Sequence, residues 1–207
     1  MAGTKTMTPS PSADLTVSTP RILRADARRN HDLLLETAGA LFAQKGIDVS
    51  LEEIARTADV GIGTLYRHFP SRDALNEAVY RREVELLCDG VDELIATNSA
   101  DDALAAWMGA FATYVARKRG MAVALKSALG ADAELFSSSR RRMIAALDQL
   151  LANAVSAGLI REDVDSEDLL SAMSGICMAS PDAAFADRTR RLVDLLIDGL
   201  RYRAASR

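Results

Sequence analysis

The stretch that decides the fold is SLEEIARTADVGIGTLYRHF, residues 50–69. Ser50 followed three residues later by Glu53 is a capping-box signal, and it predicts the start of a short helix. The apolar residues of that helix, and the one that closes the turn after it, are Leu51, Ile54, Ala55, Ala58 and Val60. A second helix follows, in which Leu65 and Phe69 stand four residues apart and point inward together. This pattern predicts two short helices crossing through a tight turn.

The outward face of the second helix carries the residues that suggest a function. At about 100° per residue, Arg67 lies roughly opposite the buried direction set by Leu65 and Phe69. The other exposed positions are Gly63, Thr64, Tyr66 and His68. No Asp or Glu occurs from residue 60 to residue 72, although the chain has a formal net charge of −4. An exposed Arg on a carboxylate-free helix fits a DNA major groove. Periodicity alone leaves an ordinary helical hairpin as an equal alternative.

The rest of the chain predicts an all-α protein. Upstream, a helix that ends near Gly46 places its apolar residues at helical spacing, namely Leu34, Ala38, Leu41 and Phe42. After Pro70 and Ser71, one long helix is predicted to run through Ile95. Further helices are expected at about residues 101–118, 120–129, 132–157, 166–180 and 183–203. The sequence shows no strand alternation, no internal repeat and no Gly-rich phosphate loop.

Composition and local sequence suggest the domain organisation and the compartment. Residues 1–20 are rich in Ser, Thr and Pro, and we predict a disordered tail. A helix-turn-helix domain over 21–70 and a helical domain over 71–207 follow. No signal-peptide core is seen, and the longest uncharged apolar run, 169–181, is too short to span a bilayer. We therefore expect a cytoplasmic protein. Cys88 and Cys177 fit buried free thiols better than a redox sensor.

Residues 28–76 resemble the DNA-binding domain of the tetracycline-repressor (TetR) family of bacterial transcriptional regulators. The resemblance is carried by the small pair Ile54-Ala55 and by the run Thr64-Leu65-Tyr66-Arg67-His68-Phe69. Flanking matches are Leu34-Leu35, Ala38, Leu41-Phe42, Gly46 and Ser71-Arg72-Asp73-Ala74-Leu75. Two positions depart from the family pattern. Asp59 stands where the family usually has a turn Gly, and Gly61 replaces the usual Ser or Thr cap.

This resemblance implies a set of DNA contacts. Phosphates would be contacted by Ser50, Thr64, Tyr66, His68 and Arg72. Base edges would be faced by Ile62, Gly63 and Arg67, with Gly61 beside them. Arg67 is the strongest candidate for direct recognition, since Arg donates two hydrogen bonds to guanine O6 and N7. Asp tolerates the left-handed turn better than most residues, and Gly costs little at an N-cap, so both departures should preserve the fold while retuning DNA affinity.

Beyond residue 77, the resemblance is one of helix lengths, and it implies an effector-binding and dimerisation domain. The candidate pocket residues are Trp107, Met108, Phe111, Tyr114, Met121, Leu125, Phe136 and Met143; for any single one, ordinary core is the more common role, and the resemblance implies that some of them line a cavity. The expected ligand is a small apolar or amphipathic molecule. The candidate dimer residues are Leu169, Met173, Cys177, Leu192, Leu195, Leu196 and Leu200. A homodimer would bind a near-palindromic double-stranded DNA operator, most simply as a repressor released by the effector, although an activator remains open.

A basic cluster beside the tail, formed by Arg21, Arg24, Arg28 and Arg29, is either a solvated helix start or an arm that contacts DNA.

An enzyme is the main alternative to a DNA-binding regulator. The chain has only two histidines, however, and no metalloprotease, paired-Cys or Walker motif. The acidic stretch 162–168 fits a solvated turn and helix start. We therefore predict no catalytic residue, no metal and no cofactor.

Overall fold

The computed structural model of the chain describes residues 20–130, 133–179 and 185–202. Within those ranges every regular element is an α-helix, as predicted. The helices are α1 (Pro20–Lys45), α2 (Leu51–Thr57), α3 (Ile62–His68), α4 (Arg72–Cys88), α5 (Val91–Thr97), α6 (Ala100–Leu129), α7 (Glu134–Ser156), α8 (Ser166–Met178) and α9 (Phe185–Arg201). The tail over 1–19, the predicted break at Pro181 and the side chains of Arg21 and Arg24 lie outside what is described.

Helices α1 to α3 form a small domain around the apolar residues that the sequence singled out. Leu34, Ile54 and Leu65 are fully buried, one from each helix. Helix α1 ends where Gly46 takes a left-handed φ of 83°, a conformation that glycine adopts without steric cost. The N-terminus of α2 has one of the two hydrogen bonds of the predicted capping box. Ser50 Oγ accepts from Glu53 N at 3.1 Å, but the Glu53 carboxylate pairs with Lys45 Nζ at 2.6 Å.

The turn between α2 and α3 depends on Asp59. Its φ is 53°, so the left-handed conformation expected at this position is confirmed. The chain then closes on α2 through a hydrogen bond from Val60 N to Ala55 O at 3.0 Å. Gly61 is the N-cap of α3 and offers no side-chain cap. The two departures from the family pattern thus leave the helix-turn-helix intact.

Two predicted helix boundaries were wrong. The long helix expected to reach Ile95 ends at Cys88, because the chain bends at Asp89 and Gly90 before α5 begins. The last carbonyls of a helix need other donors, and the Trp107 indole donates to Leu87 O at 2.9 Å. Conversely, the two helices expected on either side of residue 119 are the single helix α6. Gly120 lies inside it, facing Ile47 of the α1–α2 loop.

The remaining helices form a bundle built on α4, α6 and α7, with α8 and α9 packed along α6. Its core is apolar and continuous with that of the small domain. Arg201 at the end of α9 pairs with Asp101 Oδ2 at 2.6 Å, at the start of α6. Asp165 caps α8 by accepting from the backbone of Glu167 and Asp168, so the acidic stretch is a helix start, as predicted. Helix α4 belongs to both parts, since it also packs on α1.

Candidate functional site

Helix α3 presents one buried and one open face. Leu65 is fully buried and Phe69 is 3% exposed, which confirms the predicted inward direction. Ile62 and Tyr66 are 38% and 47% exposed, large values for side chains of this size. Arg67 is exposed as well. Two apolar-bodied side chains and a guanidinium therefore face outward together on a helix of seven residues.

Arg67 lies along the surface of its own helix. Its Nε donates to Gly63 O at 3.2 Å and its Nη2 donates to Thr64 Oγ1 at 2.9 Å. Both bonds are exposed to solvent, where a hydrogen bond contributes little because water is an equivalent partner. The guanidinium is thus held only weakly and remains outside the protein core.

Neither of the two glycines in this segment is required by packing. A Cβ added at Gly63 would meet no atom within 4 Å, and one at Gly61 would approach only Thr64 Oγ1, at 4.0 Å. Both have negative φ, because the positive-φ glycines are Gly46, Gly130 and Gly158 among the described residues. A glycine inside a helix costs about 0.5–1 kcal/mol relative to alanine. Residue 63 therefore leaves backbone bare at a position where a methyl group would fit.

His68 is half buried at the edge of α3. Its ring lies edge-on to that of His31 of α1, with 5.8 Å between centroids, and both rings approach Phe69. Burial lowers the pKa of His68 below its usual 6.5, and the charges of His31 and Arg67 lower it further. His68 is therefore neutral above that pH and offers a hydrogen bond rather than a charge.

Two predicted phosphate contacts already have structural roles. Ser50 Oγ caps α2, as described above. Arg72 Nη1 donates to Ile47 O at 3.0 Å and to Val49 O at 2.9 Å. This guanidinium joins the start of α4 to the α1–α2 loop, a structural role that no local pattern predicts. The phosphate contacts predicted for Ser50 and Arg72 stay predictions.

A cavity of about 340 Å³ lies between α4, α6, α7 and α8. It is lined by Tyr80, Phe111, Tyr114, Val115, Lys118, Ala122, Val123, Lys126, Arg140, Met143, Leu170, Ser174 and Met178. Three of the predicted pocket residues, Phe111, Tyr114 and Met143, are in this lining. Phe136 stands beside it, its ring edge-on to Tyr80 at 5.6 Å between centroids. The cavity is therefore bordered by α6 and α7, the helices that carry the predicted pocket residues.

The other predicted pocket residues do not line this cavity, and an effector contact for them stays a prediction. Trp107, Met108, Met121 and Leu125 are at most 2% exposed and belong to the core. Trp107 stacks on Phe111 at 5.7 Å between ring centroids, so it supports the cavity wall from behind.

Sequence analysis missed the cations of the cavity, foremost Lys118. This side chain is only 3% exposed. Its Nζ donates to Tyr80 O at 2.7 Å and lies 3.9 Å and 4.3 Å from the ring centroids of Tyr80 and Tyr114. Burial lowers its pKa to about 7, Glu83 opposes that shift, and Arg117 adds to it. Lys118 stands between Arg117 and Arg119 in the sequence, which is typical of a solvated basic stretch and carries no signal that its side chain is buried.

The predicted dimer residues lie on two different faces of α8 and α9. Leu169, Met173, Cys177 and Leu200 are at most 4% exposed within one chain, so they belong to its core, and a subunit contact for them stays a prediction. The bundle itself uses that side of α8, which packs on α6 and α7. Leu195 is 67% exposed. A surface groove between α8 and α9 is lined by Arg161, Val164, Asp168, Ala172, Ile176, Leu192, Leu195, Leu196 and Gly199, together with the buried Leu169 and Leu200.

Over residues 20–130, 133–179 and 185–202, no group of three or more metal-ligating side chains comes together. No helix within those ranges is long and apolar enough to cross a membrane. Burial raises the pKa of the Cys88 thiol to about 11, which keeps it in the unreactive protonated form.

The small three-helix domain, its exposed α3 and the bundle behind it define a helix-turn-helix DNA-binding regulator. Residues 34–79 match the family described as bacterial regulatory proteins, tetR family. Residues 99–202 match the family described as transcriptional regulator SbtR-like, C-terminal domain. The chain belongs to the TetR family of bacterial transcriptional regulators, which confirms the resemblance seen over 28–76.

Solved structures agree along most of the chain. A TetR transcriptional regulator from Streptomyces coelicolor, SCO0520, is 43% identical with a TM-score of 0.75, covering 83% of this chain and 98% of that one. A TetR regulator from Mycobacterium vanbaalenii is 34% identical with a TM-score of 0.71, covering 86% and 99%. The curated regulator SAR0097 of Staphylococcus aureus is 35% identical over 79 residues. That match spans only 41% of the relative's length and 37% of this chain.

Proposed function

We propose that this chain is a ligand-responsive, cytoplasmic repressor without catalytic activity, which binds a near-palindromic operator as a homodimer and is released by a small molecule. The observation that carries the proposal is the open face of α3. Arg67, Tyr66 and Ile62 face outward, on a stretch without carboxylates, in a chain that is acidic overall. A surface that meets phosphates needs that local absence of negative charge.

In this proposal, α3 enters the major groove. Arg67 leaves its weak contacts with Gly63 O and Thr64 Oγ1 to reach a base edge, because two exposed hydrogen bonds are exchanged for two charge-assisted ones to guanine. Ile62 and the bare backbone of Gly61 and Gly63 lie against the bases. The phosphate contacts are assigned to Ser50, Thr64, Tyr66, His68 and Arg72, with Ser50 and Arg72 also keeping their structural bonds.

The homodimer is proposed to form through the outer faces of α8 and α9. Leu195 is 67% exposed beside an apolar groove, and an exposed apolar surface of this kind marks a contact site. A two-fold axis there would let two copies of α3 reach successive major grooves, about 34–36 Å apart. The two-fold symmetry of the protein would then be repeated in the operator.

We propose that the effector releases the protein from DNA by shifting α4. The cavity is lined by Tyr80 of α4, and the start of the same helix holds the α1–α2 loop through Arg72. A ligand that favours a shifted α4 would move the DNA-binding domain and change the distance between the two copies of α3. It can shift the equilibrium only by its difference in affinity for the two states.

The test is selection of bound fragments from a random double-stranded DNA library, run together with Leu195→Arg. We expect a two-fold symmetric motif, and we expect Leu195→Arg to sediment as a monomer and lose tight binding. Leu86→Arg is the matched control, because Leu86 is 60% exposed on α4, away from the proposed contact. An asymmetric motif, or a Leu195→Arg protein that stays dimeric, would contradict the proposal.

A deletion strain distinguishes repression from activation. Raised transcript levels of neighbouring genes in that strain would support repression, and lowered levels would indicate an activator.

A further inference from the structure

We propose that the effector is an organic anion with an apolar body, whose acidic group is held by Lys118, Lys126 and Arg140 in the cavity between α4, α6, α7 and α8. This inference rests on the proposed function, in which a small molecule occupies that cavity. It names the chemical class of the ligand, and it follows from the charges and the shape of the lining.

The charge of the lining differs from that of the chain. Three of its thirteen residues are cations and none is Asp or Glu, whereas the whole chain has 29 acidic and 25 basic residues. The cations come from two helices, Lys118 and Lys126 from α6 and Arg140 from α7. Cavity walls of one sign attract ligands of the opposite charge and focus their field.

Lys118 is the strongest element of the argument. A buried ammonium is costly unless it is paired, and this one has a backbone carbonyl and two aromatic rings as partners rather than a carboxylate. Glu83, whose charge raises the pKa of Lys118, lies 3.5 Å from Arg117 Nη2 and is shared with that cation. A carboxylate or sulfonate in the cavity would supply the missing counter-charge, which would also raise the lowered pKa of Lys118.

The other two cations lie at the open side of the cavity. Lys126 Nζ is 5.7 Å from the centroid of the Phe136 ring. Arg140 Nη2 is 3.4 Å from Ser171 Oγ and 3.8 Å from a Glu167 carboxylate oxygen. That ion pair is exposed on both sides, and such pairs contribute little. Both cations are therefore able to turn toward a ligand at small cost.

The rest of the lining fits an apolar body. Its apolar part is made by Phe111, Val115, Met143, Leu170 and Met178, and Met and aromatic side chains adapt to rings and chains alike. A volume of about 340 Å³ is near the lower end for pockets that hold drug-sized ligands. The ligand is therefore a compact molecule with one acidic group and an apolar remainder.

The experiment compares two fluorescent probes with the same aromatic body, using the full-length protein. 1-Anilinonaphthalene-8-sulfonate carries a sulfonate, and N-phenyl-1-naphthylamine is the same molecule without it. Trp107 is the only tryptophan and stacks on Phe111 of the cavity wall, so energy transfer from it detects probe bound to the bundle, and the paired variants assign that binding to the cavity. We expect the sulfonate to bind at least about tenfold more tightly than the neutral probe. Equal or tighter binding of the neutral probe, or no binding of the sulfonate, would overturn the proposal.

Paired variants assign the effect to the cavity. Arg140→Met together with Lys126→Met should weaken sulfonate binding by about tenfold and leave the neutral probe unchanged. Arg141→Met is the matched control, since it is the next residue on α7, is exposed and lies outside the lining. If Arg141→Met weakens sulfonate binding as much as the double variant does, the anion is not held in the cavity. Failure of the DNA selection would reject the proposed function without altering the ratio between the two probes, so the two failures are distinguishable.

Discussion

Replacing Arg72 with methionine keeps the aliphatic stem but removes the two hydrogen bonds that join α4 to the α1–α2 loop. In the structure, Nη1 donates to Ile47 O at 3.0 Å and to Val49 O at 2.9 Å. A hydrogen bond from a charged donor contributes about 1.5–3 kcal/mol. The two bonds share one nitrogen and are only partly buried, so water replaces part of what is lost. We therefore expect the free energy of unfolding to fall by about 2–3 kcal/mol.

The assay is urea-induced unfolding followed by circular dichroism, with a thermal scan beside it. For a chain of this size, 1 kcal/mol corresponds to about 2–4 °C, so the Tm should fall by roughly 4–12 °C. Arg81→Met is the control, because Arg81 pairs with Glu77 one turn away on the exposed side of α4. That variant should lose no more than about 0.5 kcal/mol.

The result also separates two roles for Arg72. If Arg72 served only as a phosphate contact, Arg72→Met would unfold at the wild-type urea concentration and lose DNA affinity alone. That outcome would refute the structural role assigned to it. A loss of stability that Arg81→Met does not share would support the view that α4 controls the position of the DNA-binding domain through this side chain.

Three further predictions concern single positions. Asp59→Gly should be neutral or stabilise by up to about 1 kcal/mol in urea unfolding, since φ is 53°, whereas Asp59→Val should destabilise by at least that amount. Gly63→Ala should raise the free energy of unfolding by about 0.5–1 kcal/mol yet weaken operator binding in an anisotropy titration, and tighter binding would contradict the role of its bare backbone. The folded chain lowers the Lys118 pKa from 10.5 to about 7, so the unfolded state binds more protons between these values. Wild type should therefore gain stability over Lys118→Met as pH rises from about 7, by up to ~1.4 kcal/mol per pH unit, and a constant difference would refute the shift.

The DNA-binding domain could be predicted from sequence because its determinants are local. Leu65, Phe69 and Arg67 lie within five residues of one another, and helical geometry alone fixes which of them faces inward. The conformation of Asp59 followed from the turn it occupies. Periodicity favoured a DNA-binding helix and an ordinary helical hairpin equally. The resemblance to a known family then decided for the DNA-binding helix.

The bundle could be predicted only as a set of helices, because its details depend on which helices become neighbours. A stripe such as Leu169, Met173 and Cys177 is apolar whether it meets α6 or a second subunit, and periodicity does not distinguish the two. A break was predicted beside Gly120, because the contact of this residue with Ile47 of a distant loop cannot be recognised from the sequence. The same holds for Lys118, whose partners Tyr80 and Tyr114 assemble only when α4 and α6 pack.

The central claim is that α3 presents Arg67 to the base edges of a duplex. It is tested most directly by measuring the base preference at every position of the selected operator, for wild type and for Arg67→Ala under the same salt concentration. We expect Arg67→Ala to keep the half-site spacing and to lose about 1–3 kcal/mol of discrimination at one G·C pair in each half-site. An unchanged preference at every position, in a variant that still binds, would contradict the claim.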